Sequence, residues 1–376
     1  MAGLYLHIPF CKQACHYCNF HFSTSLKYRD EMVAAIIAEL DIRAAYLAGN
    51  TLDTIYFGGG TPSLLTAQQI DVILGEVHRH FRVAEDAEVT LEANPDDINK
   101  ELLHNWRAAG INRLSIGIQS FRDEELQFMN RAHTAVEAAA AVQLAREAGF
   151  EDLTIDLIYG LPISDAGRWE QNLQQAIELK VPHLSAYCLT IETNTVFGHW
   201  VRKGKLQEAP DELAVAQFVA CMDRLASAGY EHYEISNYAL PGWRARHNSA
   251  YWQGAPYLGL GPSAHSYNGH SRQWNIAHNM KYLKAIQDHL AGTSRLDWVE
   301  EEHLSAADKH NEYLMTRLRT SEGVLLHELQ EAYSASFLKT IQSYLDQGQV
   351  VRNNNAFILS RSGKLIADAI TADLFV

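Results

Sequence analysis

The chain reads as an α/β protein on parallel strands, followed by a smaller and more helical segment. Two observations carry that expectation. Short β-rich runs alternate with longer stretches of helical periodicity through the first 230 residues. Polar or glycine-rich motifs fall just after successive strands, where ligands gather in parallel α/β folds. Six β-α units in series imply right-handed crossovers, in an open sheet or in a barrel. Counting units does not separate the two.

The expected strands span 3–8, 52–57, 87–93, 112–118, 152–159 and 183–191. Helical stretches lie between them at 26–47, 66–81, 100–109, 135–148 and 168–179, with another at 211–228. Several end at a glycine (Gly49, Gly110, Gly149, Gly229), the residue that takes the left-handed conformation past a helix end. From Glu231 the rhythm stops, so residues 1–230 and 231–376 are expected as two domains. In the second, 254–269 reads as glycine-rich loops over the mouth of the strand array. Helices follow at 279–290, 300–318 and 334–346, then a hairpin at 350–359 and a last helix at 362–374. Helices plus a hairpin predict a winged-helix-like module. It has no dense basic stripe, so packing or partner contact is expected of it rather than DNA binding.

Composition narrows the function. With 376 residues and 47% hydrophobic content the chain can build sizeable cores, and a net charge of −14 argues against a general nucleic-acid binder. Three of five cysteines share one loop; Cys188 and Cys221 are isolated and read as small buried hydrophobes. That usage suits a reducing cytoplasm. No basic-then-apolar N-terminal signal and no apolar run near 18 residues is found, so neither export nor a membrane span is expected.

Cys11, Cys15 and Cys18 stand at C-x3-C-x2-C spacing directly after the first strand. Three thiolates on one loop can hold three irons of a [4Fe-4S] cube and leave the fourth open to chelate a small molecule. The alternative is zinc, with His16 or His21 as fourth ligand. Gly58-Gly59-Gly60-Thr61-Pro62 follows the second strand and offers close backbone approach with unobstructed N–H and C=O groups, or simply a tight turn. Glu92 and Asp156 are suited to hydrogen bonds from ribose hydroxyls or an ammonium, or else cap helices or pair with Arg113. Gln119 and Arg131 suit a carboxylate and ribose, although Arg131 alone reads as a solvated helix charge. Tyr17, inside the cysteine loop, either packs on a base or shields the cluster.

Taken together, His-Ile-Pro-Phe-Cys, Gly-Gly-Gly-Thr-Pro-Ser, Glu-Ala-Asn-Pro, Ser-Ile-Gly-Ile-Gln-Ser-Phe, Asp-Leu-Ile-Tyr-Gly-Leu-Pro and Tyr-Glu-Ile-Ser-Asn-Tyr-Ala resemble the HemW family. These are HemN-like radical S-adenosylmethionine (SAM) proteins, once taken for oxygen-independent coproporphyrinogen III oxidases and now regarded as haem chaperones. The resemblance runs from Tyr5 into the C-terminal segment. It implies a partial (β/α)6 barrel and a [4Fe-4S] cluster on Cys11, Cys15 and Cys18. It also implies SAM contacts at Tyr5, Tyr17, Gly59, Gly60, Thr61, Glu92, Gln119, Arg131 and Asp156.

Two departures from HemN-type dehydrogenases matter. Their fourth cysteine, two residues after the third, is replaced here by Phe20, and only ten residues precede Cys11 where they carry a long extension. In the other direction, His247-Asn248-Ser249-Ala250-Tyr251-Trp252 matches the HNxxYW motif that the HemW family uses for haem. On chemistry alone His247 suits haem iron, with Tyr251 and Trp252 as flat faces for the porphyrin. Equally, a histidine beside aromatics is a packed core residue. Arg244 and Arg246 suit haem propionates or are surface charge. His247 is expected outside the β-α core and clear of the cluster loop.

The expected function is a cytoplasmic haem chaperone that passes haem to haemoproteins, including membrane-associated respiratory enzymes. A donor such as flavodoxin or ferredoxin would reduce its cluster, and a homodimer is possible on the same resemblance. The alternatives are a porphyrin-directed radical enzyme such as a coproporphyrinogen III dehydrogenase, a HemN-like methyltransferase using two SAM molecules, and a binding module whose SAM site only tunes haem affinity.

Overall fold

The computed structural model describes residues 2–47, 49–292 and 295–376. All six expected strands form: β1 (Ala2–Ile8), β2 (Thr51–Gly59), β3 (Arg82–Ala93), β4 (Arg113–Gln119), β5 (Asp152–Tyr159) and β6 (His183–Cys188). They pair in chain order, each parallel to the next. Because that order never reverses, every right-handed crossover places its helix on the same face, and the twisted strands curl round the other. β6 pairs with no part of β1, so the array is an incomplete (β/α)6 barrel.

Helices α1 (Arg29–Arg43), α2 (Ala67–His80), α3 (Lys100–Ala108), α4 (Asp123–Phe128), α5 (Ala135–Glu147), α6 (Ala166–Glu178), α7 (Val196–Arg202) and α8 (Asp211–Ser227) follow. Capping boxes at Thr66/Gln69 and Thr134/Glu137 fix where α2 and α5 begin. The short α4 and α7 escaped the periodicity reading, since six or seven residues give too few turns to register. Cys221 is buried as expected, whereas Cys188 is exposed because it ends β6 at the barrel rim.

Each barrel strand has two chemically distinct faces, as alternation requires. Leu4, Leu6 and Ile8 of β1, Ile55 and Phe57 of β2, Leu91 of β3, Leu114 and Ile116 of β4 and Leu153 and Ile155 of β5 are buried in one continuous core. The intervening positions carry Tyr5 and His7, Thr54 and Tyr56, Glu88, Thr90 and Glu92, Arg113 and Ser115, Thr154 and Asp156, then His183 and Ser185. These polar side chains bond across the strands. Arg113 donates to Asp152, Thr90 and Thr154, and Thr154 is hydrogen-bonded to His183. The concave face is therefore a polar network, not a hydrocarbon core.

The expected division at residue 230 falls inside the large sheet. β7 (Glu231–Glu234) and β8 (Asn237–Ala239) extend it beyond β6. Helix α9 (Arg246–Trp252) is followed by β9 (Tyr257–Leu260), which pairs parallel to β1. β10 (His265–Tyr267), β11 (Ser271–Asn275), α10 (Asn279–Leu290) and β12 (Val299–His303) complete twelve strands. The stretch 254–269 thus carries two strands of the sheet, β9 and β10, where only loops over a mouth were expected. Glu39 of α1 is the physical reason. This fully buried carboxylate accepts hydrogen bonds from Arg43, Asn275, Trp298, Tyr282 and the Gly261 amide at 2.6–3.0 Å, binding the first helix to the later strands.

A second core begins past Ser305. It comprises α11 (Ala306–Arg317), β13 (Val324–Leu325), α12 (Glu331–Asp346), the hairpin β14 (Val350–Asn353) and β15 (Ala356–Leu359), then α13 (Arg361–Lys364) and α14 (Ala367–Asp373). Leu314, Leu318, Phe337, Ile341, Phe357 and Ile370 fill it. The helix expected at 300–318 starts at Ala306, because 299–303 pairs as β12 and Ser305 caps the helix with Asp308.

Candidate functional site

The cysteine loop leaves the C-terminal end of β1 and is held from three sides. Cys11 N–H donates to the Ser23 carbonyl at 3.0 Å and Ser23 N–H to Pro9 at 2.9 Å. His16 N–H reaches the Met129 carbonyl at 3.1 Å, while the Asn130 amide donates to Ala14 O at 2.7 Å and its carbonyl accepts from Gln13. Asn130 sits in the left-handed region (φ 59°), where asparagine is tolerated. On the third side Phe197 N–H of α7 donates to His16 O at 3.0 Å. The backbone is thus braced from three elements, while Cys11, Cys15 and Cys18 are free of disulfides and partly exposed.

A cation faces these thiols. Arg131 brings Nη1 to 3.4 Å from Cys15 Sγ and anchors Nη2 on Asn94 Oδ1 and Gly117 O, both at 2.7 Å. Its Nε is buried without a partner. Burial pushes the Cys11 thiol up to about 11, opposed by a hydrogen bond with Thr61 and by the Arg131 charge. Tyr17 packs on Leu126, Met129, Ile158 and Leu161 and lies against Cys15, so it closes the loop on the apolar side. Three thiols on a braced loop beside a buried guanidinium fit an anionic iron–sulfur cube. His16 Nδ1 is bonded to Phe128 O and His21 Nε2 to Asn279, which orients each ring and commits only one of its nitrogens, so zinc with either histidine stands as the alternative.

Residues expected at the SAM site meet along the same rim. Gly59 has φ 98°, and a Cβ there would lie 2.5 Å from the His7 ring; one at Gly60 would lie 2.6 Å from the carbonyls of Ile8 and Phe10. Their amides are not unobstructed as expected. Gly60 and Thr61 N–H donate to Ile8 O and Phe10 O, and Gly59 N–H to Glu92. The glycines seat the start of the cysteine loop, which explains why a side chain is excluded there. Glu92 also accepts from Tyr56 OH at 2.8 Å. Burial pushes its carboxyl up to about 7, aided by Asp156, whose own carboxyl burial raises to about 6. Two desolvated carboxylates in one polar barrel form a site that a cation or a set of hydroxyls would relieve. Opposite them, Gln119 (φ 69°), Arg131 and Asn94 converge on Gly117, where a Cβ would stand 3.0 Å from Gln119 Nε2. Tyr5 stacks on Tyr56 with centroids 6.1 Å apart.

Several positioning residues went unread: His7, Tyr56, Asn94 and Asn130. Strict alternation of polar residues along β1 to β5 was the available signal for the first two. Asn130 gave none beyond its tolerance of positive φ.

The histidine of the HNxxYW motif does not lie outside the β-α core. α9 packs against the concave face, its first turn capped by Glu88, which accepts from the amides of Arg246 and His247 at 2.7 and 3.0 Å. His247 is buried, stacked on Tyr56 at 4.9 Å, with Nδ1 bonded to Thr54 at 2.8 Å and Nε2 to Tyr251 OH at 2.7 Å. Burial, and secondarily the Arg113 charge, lowers its pKa to about 3, so it is neutral. Both nitrogens are engaged, and through Tyr56 the ring is one residue from Glu92. Asn248 is half-buried, while Trp252 lies beneath the Arg319 guanidinium at 5.5 Å. Arg244 and Arg246, considered for haem propionates, already pair with Glu231 and Glu322 and with Asp86.

Comparison with known proteins identifies the family and the fold. The Radical SAM superfamily model matches residues 5–175. The chain is 36% identical to the haem chaperone HemW of Mycobacterium tuberculosis, over 99% of this chain and 94% of that protein. It is 35% identical to HemW of Escherichia coli, over 98% and 96%. In structure it resembles coproporphyrinogen III oxidase (HemN) of Escherichia coli, a radical SAM enzyme. The TM-score is 0.85 at 24% identity, covering 100% of this chain and 90% of that one.

Proposed function

The chain belongs to the HemW family of the radical SAM superfamily, and from that premise we propose that it binds haem and delivers it to haemoproteins, those of respiration among them. The observation that carries the reading is the near full-length identity to haem chaperones, joined to Phe20 standing where a fourth cysteine would belong. Phe20 is 73% exposed, an apolar side chain at the mouth of the cysteine loop.

In this reading Cys11, Cys15 and Cys18 hold a [4Fe-4S] cube. When bound, that group supplies a single electron for reductive cleavage of SAM. The chain's own residues do the rest. Asn130, Ser23 and Phe197 hold the loop backbone so that the thiols keep their spacing. Arg131 offsets thiolate charge. Glu92 and Asp156, protonated in part when empty, ionise against the ammonium or hydroxyls of SAM and orient it. Tyr17 and its apolar neighbours keep water from one side of the loop. The reading also assigns the protein to the cytoplasm, with a flavodoxin- or ferredoxin-like donor and a homodimer as its working context. No helix among the described residues is long and apolar enough to cross a membrane.

The test is anaerobic reconstitution with iron and sulfide, followed by haem titration and chromatography of products formed from SAM and coproporphyrinogen III. Stoichiometric haem binding with no decarboxylated porphyrin is expected. Many turnovers to protoporphyrinogen IX would replace this reading with the HemN-type enzyme.

A further inference from the structure

Helix α7 braces the cysteine loop from one side and turns its other side to solvent. Phe197 and Gly198 are buried. The Trp200 and Phe197 rings lie 4.8 and 5.7 Å from the ring of His16, the residue that directly follows Cys15. The seat is tight. Thr195 caps the first turn by accepting from the Gly198 amide at 3.0 Å, and a Cβ on Gly198 would run into the Glu192 carbonyl oxygen. The helix is therefore fixed against the loop that carries the thiols.

Its outward face is cationic. Val196, His199, Arg202 and Lys203 recur at helical spacing and are exposed, and the exposed Lys205 follows in the turn. Residues 202–205 are the only four consecutive positions in the sequence that hold three Lys or Arg, and no Asp or Glu falls within 194–207. Arg202 is bonded to the Thr193 carbonyl, and among the described residues none of the three cations is in an ion pair. Lys12, on the cysteine loop itself, is by contrast held by Asp96 and Asp97. Charge left free in this way is available to a partner. The chain as a whole carries −14, so an acidic protein is repelled by most of the surface and drawn to this face.

We propose that the outer face of α7, with His199, Arg202, Lys203 and Lys205 around Val196, docks an acidic one-electron carrier protein. This rests on the cluster reading above and names where its electron enters. In that step the reduced carrier loses one electron and the cube gains it; no proton moves and no bond forms or breaks. A carrier seated here is separated from the loop by about one helix diameter, roughly 10 Å. Encounters between redox proteins bury little surface, so a small charged face suffices and lets the oxidised carrier leave.

The experiment is calorimetric titration of the anaerobically reconstituted full-length protein with oxidised flavodoxin at low ionic strength. Lys203→Glu combined with Lys205→Glu should weaken binding about tenfold, because two exposed attractions become repulsions. Reduction of the cube by reduced flavodoxin should slow to match. Lys203→Gln combined with Lys205→Gln should fall between the two. Iron content, melting temperature and the extent of reduction by dithionite should equal those of the parent, since both lysines are exposed. Salt at about 1 M, where the screening length is about 3 Å, should bring parent and variant together. Equal flavodoxin affinity of parent and Glu variant at low salt overturns the proposal, and so does a parent that binds no flavodoxin. Phosphatidylglycerol vesicles supply a further arm. If the Glu variant loses vesicle binding but keeps flavodoxin binding, the face belongs to an anionic lipid surface and the proposal is overturned. A reconstituted parent without iron and sulfide overturns the cluster reading instead, while the titration still reads the docking face.

Discussion

The cysteine loop and helix α9 carry equally conspicuous motifs, yet the fold treats them in opposite ways. In the loop the backbone is braced by Ser23, Met129, Asn130 and Phe197 while the three thiols are free of disulfides and partly exposed. On α9 the side chain that the motif singles out is itself tied down, buried with both nitrogens bonded. One motif presents free thiols and the other, through His247, builds structure. A motif names residue types; whether a lone pair is available depends on what packs against it.

That contrast can be broken first at the loop. Changing Cys11, Cys15 and Cys18 together to Ala should remove all iron and sulfide from anaerobically reconstituted protein. It should leave the metal-free form folded, since the hydrogen bonds that brace the loop run through its backbone and survive the substitutions. Metal analysis and calorimetry check both halves, and a collapse in stability would place the thiols in the core instead.

His247→Ala should show the reverse. Removing a buried ring with two hydrogen bonds should cost about 3–4 kcal/mol, measured by denaturant unfolding, with iron content unaltered. A loss well below that would mean the ring is dispensable to the barrel and would weaken the contrast.

Glu92→Gln sharpens the picture at the boundary between the two regions, because Glu92 touches Tyr56, on which His247 stacks. The Glu92 pKa is raised from 4.5 to about 7 on folding. A raised carboxyl binds more protons folded than unfolded, so its destabilising contribution appears as pH rises from about 4.5 to 7 and is complete above that. The Gln variant should therefore match the parent near pH 4.5 and exceed it at pH 8, on the order of 3 kcal/mol, while binding SAM more weakly. Parallel unfolding curves at the two pH values, with calorimetry for SAM, test this. An advantage independent of pH would show that Glu92 is not held protonated.

His247 also shows where sequence reasoning stopped. The residues quoted for the family lie within a few positions of one another, and contacts along a strand end are local, so the cysteine loop, the glycine turn and the strand-end acids were legible. So was the barrel's rhythm. Residues remote in sequence were not. Glu39 looks like an ordinary acid on an amphipathic helix, and nothing local reveals that it gathers five donors, four of them from 261–298. For the same reason the division expected at 230 missed the strands that continue the sheet to His303.

The sequence by itself determined the six β-α units, the order of their strand-end motifs and the presence of three clustered cysteines, because hydrophobic period and short spacing are properties of neighbours along the chain. Only the tertiary structure decided which faces those motifs present. It buried His247 against Tyr56 and turned the polar half of each barrel strand inward. Burial and hydrogen-bond satisfaction depend on what arrives from elsewhere in the chain, and no local pattern encodes that.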